Sequence, residues 1–465
     1  MWQGEEIEFA LTCKDPTDLS KTFAPDLLKQ LLTEKVKEFY GINLVLRINR
    51  PKEPYVHFLA NGGKVYVDEI TRQGGGKYRL FEIATPEVSS SLEVVQYDRA
   101  AEKIAHFAAQ LLNANEGLNI ECYKTSIARD VEGNYTSRGA HESYRVRKRF
   151  LAKINSLIPF LVLRQLVCGS GGYYNDRFVI SPRQFFIERT ISEMTIPVPL
   201  VCLRSESLSV DEGYMRLQIL NGDATRLELS TFLRFALTSL VIQGIEEGFI
   251  EDVPELEDPL EAARTISESC DPSCLVRLKD GRRITAVDYF QEYYVNPLER
   301  QGHEIGLNKE LKSAGRTFEE IVTDLHANKL ERLTRKIEWI VKLDLFEWDF
   351  DRYFDRDPDI ASPKETANNA YCAVTDSLFE ELENELGLVR LFNDEEVEHA
   401  ISEPPVISRA RARVKIAERF KDYVDEIDWD HLVIGGEKFM LHEDVVWNDE
   451  SISNMISEIQ RGRQW

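Results

Sequence analysis

The chain has 465 residues, of which 43% are hydrophobic and 29% charged, a composition typical of a globular protein with about two domains. Lys and Arg number 57 against 80 Asp and Glu, and the net charge of -23 disfavours non-specific binding to nucleic acid or to an anionic membrane. Seven scattered cysteines without a CxxC pair indicate reduced thiols, and without a long apolar run or a basic leader we expect a cytoplasmic protein.

The first 90 residues alternate strand-like runs with turns. The strand-like runs are GEEIEFALT, INLVLRINR, GGKVYVDEI and YRLFEIAT. Between the first two, the segment APDLLKQLLTEKVKEFYG has apolar residues at helical spacing, and Gly41 provides a stop signal. A second helix is predicted over YDRAAEKIAHFAAQLLNANEG, which Gly117 ends. This mixture predicts an α+β fold.

The rest of the chain continues with strands and then becomes helical. Strand-like runs recur at GLNIECYKTS, FVISPRQFFIE and MRLQILNGD, and STFLRFALTSLVIQGIEEG predicts a long amphipathic helix. The pattern is helical from about residue 285 to 390. A small separate unit follows, in which NDEEVEHAI and SRARARVKIAERFKDY are predicted helices. We therefore predict two domains, 1–390 and 391–465.

Charged side chains occupy alternate positions of three predicted strands. Because alternate residues of a strand point to the same side, the polar residues of each strand lie on one side of it. In chain order these residues are Glu6, Glu8, Lys64, Tyr66, Asp68 and Glu82. If the strands are neighbours, the carboxylates converge on one face, where repulsion raises their pKa values unless a cation such as Mg²⁺ neutralises them. A water-exposed sheet face explains the same pattern, because the order of strands cannot be read from one sequence.

A series of short motifs runs along the chain, in the order EEIEF, NGGKVYVDE, FEIATPE, YDRAAE, GAHESY, IPFLVLRQLVCGSG, NGD, EEG, PPVISRARAR and IDWDHL. This series resembles the Pup ligase and Pup deamidase family, a branch of the carboxylate-amine ligases related to glutamine synthetase. The order of the motifs persists from residue 4 to about residue 435. The resemblance implies a curved antiparallel sheet packed by helices, with a small C-terminal domain that contributes to the nucleotide site.

The resemblance also implies roles for the residues at the family's motif positions. The implied Mg²⁺ ligands are Glu6, Glu8, Tyr66 and Glu82, the implied nucleotide contacts are Lys64, Thr85 and Trp429, and the implied catalytic residues are Asp68, Arg204 and Arg216. Asp68 matches the family's base, and the two arginines match those that would hold the γ-phosphate. Lys64 stands where the family usually has an arginine, so it keeps the charge but loses the bidentate fork.

The implied reaction is an ATP- and Mg²⁺-dependent ligation. ATP phosphorylates the γ-carboxylate of the C-terminal glutamate of a small acidic modifier, either Pup-like or bacterial ubiquitin-like. A lysine amine of a target protein then attacks the acyl phosphate, and an isopeptide bond forms. The compact stretch between Glu8 and Asn61 has no room for the insertion of the deamidase branch and favours the ligase branch.

The identity of the carboxylate substrate stays open at this stage. The run Ser205-Glu206-Ser207-Leu208, which follows Arg204, departs from the family pattern near the place expected for substrate and phosphate. Three alternatives therefore remain beside the protein ligase. They are a small-molecule carboxylate-amine ligase acting on glutamate and an amine, a deamidase or demodifying hydrolase of the same family, and a non-catalytic binder.

Overall fold

The computed structural model of the protein describes residues 1–13, 23–46, 55–71, 77–129, 133–204, 213–301, 308–354, 362–376, 378–442 and 445–461. Its strands are β1 (Gln3–Cys13), β2 (Val56–Phe58), β3 (Lys64–Thr71), β4 (Lys77–Ala84), β5 (Ile120–Tyr123), β6 (Ile127–Arg129), β7 (Tyr135–Ser137), β8 (Ala140–Arg147), β9 (Gly172–Tyr174), β10 (Arg177–Val179), β11 (Arg189–Ser192), β12 (Pro199–Cys202), β13 (Tyr214–Ile219), β14 (Leu275–Arg277), β15 (Arg283–Thr285), β16 (Val424–Ile427), β17 (His431–Ile434) and β18 (Glu437–Met440). Its α-helices are α1 (Ala24–Leu31), α2 (Glu34–Tyr40), α3 (Ser91–Glu116), α4 (Ile158–Leu163), α5 (Gln165–Cys168), α6 (Glu228–Glu247), α7 (Pro259–Ser269), α8 (Ala286–Phe290), α9 (Asn296–Gln301), α10 (Lys309–His326), α11 (Glu338–Leu343), α12 (Phe350–Tyr353), α13 (Pro363–Cys372), α14 (Leu378–Leu386), α15 (Asp394–Ser402), α16 (Arg409–Arg419) and α17 (Asp449–Arg461). This mixture of helices with largely antiparallel strands confirms the predicted α+β class.

The chain divides into two compact units, each built from separated segments. The first unit contains Met1, Tyr123–Arg204 and Leu217–Leu391, and the second contains Trp2–Cys122, Ser205–Arg216 and Phe392–Trp465. The predicted domain boundary at residue 391 lies next to the point where the chain leaves the first unit for the last time, after Leu391. The segment that follows, Phe392–Trp465, belongs to the same unit as the N-terminal sheet. The division into domains 1–390 and 391–465 stays a prediction.

The N-terminal sheet of the second unit has the strand order β1-β4-β3-β2, and each neighbouring pair is antiparallel. One face of this sheet is apolar because hydrophobic residues alternate with polar ones along the strands. Its fully buried side chains are Ile7, Phe9, Val65, Phe81 and Ile83. The helices α1 and α3 contact these strands. The polar residues of the same strands therefore point to the opposite face.

The predicted helix over residues 24–41 is two helices in the structure. Helix α1 ends before Thr33, whose ψ of 156° is extended, and α2 begins directly after it. The Thr33 hydroxyl donates a hydrogen bond to the Gln30 carbonyl at 2.7 Å. Thr33 therefore satisfies a carbonyl at the end of α1, as side chains that compete with helical hydrogen bonds do.

Two predicted strands are also shorter than the sequence indicated. In INLVLRINR, Val45 makes an isolated bridge to Leu59, while residues 47–50 lie outside the described residues. In FVISPRQFFIE, only the start belongs to a strand, Arg177–Val179, and a 3-10 helix follows at Pro182–Phe186. This helix begins with a proline, which has no amide N–H to donate to a sheet.

The C-terminal segment of the second unit packs on the N-terminal part of the same unit. Helix α15 lies against α3, where Gln96 Nε2 donates to the Glu396 carbonyl at 2.7 Å and Tyr97 OH to the Glu403 carbonyl at 2.9 Å. Helices α16 and α17 and the antiparallel sheet β16-β17-β18 share one hydrophobic core with Phe58 of β2. The two ends of the chain therefore build one folded unit.

The first unit is organised around a long buried helix and a buried ion pair. Nearly every residue of α6 is buried, which makes it a core helix rather than a surface amphipathic one. Arg164 donates to both oxygens of Glu142, with Nη2 to Oε1 at 2.5 Å, and Tyr144 OH donates to Oε2 at 2.6 Å. Strands β11 and β12 pair in parallel, and β12 pairs with β13 in the antiparallel sense.

Within the described ranges, no single helix combines the length and the apolar composition that a bilayer crossing needs. One bent pair, Lys148–Ser156 with Ile158–Cys168 at 60°, meets the length and composition requirement when its two parts are taken together.

Candidate active site

The predicted site residues of β1, β3 and β4 lie on one face of the N-terminal sheet. The acidic face, as we call this surface, consists of Glu6, Glu8, Lys64, Tyr66, Asp68 and Glu82. Strand β4 lies between β1 and β3, so that Glu8 stands opposite Glu82 and Glu82 stands opposite Tyr66. Like charges directly opposite each other destabilise a sheet. The register therefore places carboxylates where they repel one another in the absence of a cation.

The acidic face concentrates negative charge around one buried carboxyl group. Burial raises the pKa of Glu82 well above its usual range, and the charges of Glu8 and Asp68 raise it further. Burial likewise raises the pKa of the Tyr66 phenol, together with the charges of Glu6 and Glu82, and Tyr66 stays protonated and donates a hydrogen bond to Glu82. Within the part of the chain that the structure describes, Oε1 of Glu82 is buried and has no hydrogen-bond partner. These carboxylate oxygens are suitable ligands for a hard divalent cation. Such a cation would be coordinated by Oε1 of Glu82 and would neutralise the repulsion between the carboxylates.

Arg216 on β13 is a counter-ion of the acidic face. Its Nη2 donates to Oε1 of Glu6 at 3.1 Å, and the Arg216 side chain is 8% exposed. A cation that binds Glu6 would compete with Arg216 for this carboxylate, and an anion would compete with Glu6 for the guanidinium. An arginine in this position suits a phosphate, which can accept two of its hydrogen bonds at once.

Trp429, in the turn between β16 and β17, lies beside Lys64. The Lys64 Nζ is 5.8 Å from the centroid of the Trp429 ring and 5.3 Å from that of Phe58. The Phe58 and Trp429 rings meet edge to face, with centroids 5.2 Å apart. Trp429 is only partly buried, so part of its indole is open to solvent. An open aromatic surface and a cation therefore lie together at one end of the acidic face.

Two further predicted site residues, Thr85 and Arg204, lie just after the ends of strands. Thr85 follows β4, and its hydroxyl accepts a hydrogen bond from the Glu5 amide at 2.9 Å, which ties it to β1. Arg204 follows β12 in the first unit, and the run at residues 205–208 lies outside the described residues. Their roles at the nucleotide stay predictions.

Two buried arginines of α16 share the partly buried Glu87, in a cluster that was not predicted from the sequence. Arg413 donates to both carboxylate oxygens of Glu87, at 3.0 and 2.7 Å, and Arg409 Nε donates to one of them at 2.9 Å. Burial would raise the pKa of Glu87, but the two guanidinium groups outweigh it and lower the pKa to about 2. One feature of the sequence could have indicated that the two arginines act together: Arg409 and Arg413 are four residues apart and therefore lie on the same face of a helix.

A group of potential metal ligands flanks Trp429. The ligand atoms of Asp428, Asp430 and His431 all lie within 4.8 Å of one another. His431 Nδ1 lies 2.6 Å from Asp430 Oδ1, and the Trp429 amide donates to Asp428 Oδ1 at 2.8 Å. These hydrogen bonds account for the grouping, and we assign no metal to it.

Comparisons with known proteins identify relatives along nearly the whole chain. A family model described as Pup-ligase protein matches residues 3–433. The Pup--protein ligase of Acidimicrobium ferrooxidans is 28% identical over 483 aligned residues, which cover 98% of this chain and 98% of the relative. The Pup--protein ligase of Mycolicibacterium gilvum is also 28% identical, over 98% of this chain and 99% of the relative.

Solved structures share the same fold. The crystal structure of the complex between the prokaryotic ubiquitin-like protein Pup and its ligase PafA matches with a TM-score of 0.78 at 22% identity, over 99% of this chain and 92% of that one. The structure of the Pup ligase PafA in complex with ADP matches with a TM-score of 0.74 at 21% identity, over 95% and 94%. Because the family model spans residues 3–433 of the 465, this chain belongs to the Pup-ligase family.

Proposed function

We propose that this chain is an ATP-dependent ligase that joins the C-terminal glutamate of a small acidic Pup-like modifier to lysine side chains of target proteins. The acidic face carries the proposal, because it gathers three glutamates, an aspartate and a tyrosine next to Lys64 and Trp429 in a member of the Pup-ligase family. We place the enzyme in the cytoplasm, where ATP is available and where the free cysteines of the described residues stay reduced.

Mg²⁺ and ATP fit different parts of this surface. The residues that would hold Mg²⁺ are Glu6, Glu8, Tyr66 and Glu82. When bound, Mg²⁺ spreads the negative charge of the phosphoryl group during transfer. At the other end, the Trp429 indole would pack against the purine base of ATP, and the Lys64 ammonium group would pair with the phosphates. Thr85, the third proposed nucleotide contact, lies directly after β4.

The reaction consists of a phosphoryl transfer followed by an acyl transfer. A γ-carboxylate oxygen of the modifier attacks the γ-phosphorus of ATP, so that ADP leaves and an acyl phosphate forms. The lysine nitrogen then attacks the carbonyl carbon, a C–N bond forms and inorganic phosphate leaves. The lysine must first lose a proton, because its pKa is about 10.4 in water. Asp68 is the proposed base for this proton, and Arg204 and Arg216 are the proposed partners of the γ-phosphate.

The test of the function is intact-mass spectrometry of a lysine-bearing protein after incubation with the enzyme, Mg²⁺-ATP and a Pup-like modifier that ends in glutamate. A mass gain of one modifier minus water, absent when ATP is omitted, is the expected result. ADP release that needs only glutamate and a small amine would instead identify a small-molecule ligase. Removal of the modifier from a conjugate without ligation would identify a hydrolase, and no turnover of any kind a binder.

Replacing Glu82 by Gln tests the proposed metal site. We expect the affinity for Mg²⁺, measured by calorimetric titration in the presence of a non-hydrolysable ATP analogue, to fall by about tenfold or more. The Tm without Mg²⁺ should not fall, because glutamine has nearly the same shape and replaces a carboxyl group whose ionisation is opposed by burial and by the charge of Glu8. An unchanged Mg²⁺ affinity would place the metal elsewhere.

A further inference from the structure

Arg413 is a fully buried cation that joins three separate segments of the second unit. Its Nη2 donates to the Gly62 carbonyl at 2.7 Å, in the loop between β2 and β3. Its Nη1 donates to the Trp429 carbonyl at 2.8 Å, in the turn between β16 and β17. Both nitrogens also donate to Glu87, which follows β4. These contacts use the planar fork of the guanidinium, which can serve several acceptors in fixed directions.

The same guanidinium also touches the aromatic side chains of the candidate nucleotide site. Its carbon lies 5.0 Å from the centroid of the Trp429 ring and 4.7 Å from that of Phe58. Lys64 approaches the same two rings. Arg413 therefore fixes Trp429 twice, through its backbone carbonyl and through a cation–π contact with its indole.

The loop that precedes Lys64 packs closely against α16, the helix that carries Arg413. Gly62 has a φ of +84°, and a Cβ there would lie 2.7 Å from the Cβ of Ala410 on α16. The missing side chain lets α16 approach closely enough for Arg413 to reach the Gly62 carbonyl. The position of α16 is thereby linked to the start of β3, which carries Lys64, Tyr66 and Asp68.

We propose that Arg413 is a positioning residue of the nucleotide site, which holds the Trp429 indole and the Gly62 loop in the geometry that binds the nucleotide. This inference rests on the proposed function, because it needs ATP to bind beside Lys64 and Trp429. Arg413 is completely buried and acts through the residues that it contacts. Glu87 neutralises its charge and makes the buried position tolerable.

Arg413→Lys is the variant that tests the role. A lysine keeps the positive charge beside Glu87 but cannot donate to Gly62, Trp429 and Glu87 from one planar fork. We expect calorimetric titration to show ATP affinity weakened by about tenfold or more, since small displacements of a binding group are costly. The KM for ATP should rise while kcat at saturating ATP stays close to that of the wild type. Arg409→Lys is the matched control, because it changes the other cation of Glu87 and leaves the contacts of Arg413 in place.

A double-mutant cycle with Trp429→Leu separates positioning from a general loss of structure. If Arg413 acts through Trp429, Arg413→Lys should cost little further ATP affinity when Trp429 is already leucine. Fully additive losses, or unchanged ATP affinity in either single variant, would overturn the proposal. Because Trp429 is partly exposed, the leucine variant should fold even if a change at Arg413 does not. A wild-type protein that binds no ATP would refute the proposed function itself.

Discussion

Asp68→Asn is expected to slow isopeptide formation by about 10²- to 10⁴-fold, the usual contribution of a general base, with ATP affinity close to that of the wild type. Asp68 is exposed on β3, at the acidic face, where a substrate amine can reach it. Asn has the same shape but cannot accept the proton of a lysine ammonium at neutral pH. The variant is to be compared with the wild type in single-turnover ligation of a modifier to a lysine-bearing protein.

Hydroxylamine gives this experiment an internal control. It is an uncharged nucleophile at pH 7, so it can attack an acyl phosphate without a base to deprotonate it. The Asp68→Asn variant should therefore still convert the modifier to its hydroxamate in an ATP-dependent reaction, while ligation to lysine is lost. If the hydroxamate is lost to the same extent, Asp68 acts in the phosphoryl transfer and not as the base for the amine. Glu116→Gln, at the exposed end of α3, controls for the loss of a surface charge.

The sequence could predict which site residues of a single strand lie on the same face. Side chains two apart in EEIEF and KVYVD share a face in any strand, so the grouping of Glu6 with Glu8 and of Tyr66 with Asp68 follows from local geometry. The register could not be derived in this way. That β4 lies between β1 and β3, with Glu82 between Glu8 and Tyr66, depends on the pairing of β4 with β1, which lies far away in the sequence.

Long-range packing also explains what the sequence analysis missed at the C-terminus. In the basic helix SRARARVKIAERFKDY, the spacing of Arg409 and Arg413 places both on one face, but it does not show that they are buried, because their partner Glu87 lies 326 residues before Arg413. The three-stranded sheet β16-β17-β18 consists of four-residue strands, which are too short for a clear periodic pattern. Its core includes Phe58, from the other end of the chain. A buried cation can be recognised only after its counter-ion has been located.

Glu87→Gln is expected to lower the free energy of unfolding by about 3 kcal/mol at pH 7, because each unit of pKa shift corresponds to about 1.4 kcal/mol. Although burial alone would raise the pKa of Glu87, Arg413 and Arg409 lower it from 4.5 to about 2. The ionised carboxylate is therefore more favourable in the folded protein than in the unfolded chain. Gln has nearly the same volume but leaves two buried guanidinium groups without their counter-ion.

The decisive measurement is how the difference in the free energy of unfolding between the wild type and Glu87→Gln changes with pH. Since the pKa is lower in the folded state, the stabilisation by Glu87 is complete above pH 4.5 and is lost as the pH falls towards 2. Urea unfolding of the wild type and of Glu87→Gln should give free energies that converge by roughly 1.4 kcal/mol per pH unit below 4.5. Asp449→Asn is the matched control, because Asp449 also pairs with two cations of α16, Arg411 and Lys415, but its side chain is 70% exposed. That control should change the stability far less, because solvent screens an exposed pair. A difference between wild type and Glu87→Gln that does not change with pH would mean that the cluster contributes through packing and not through its charges.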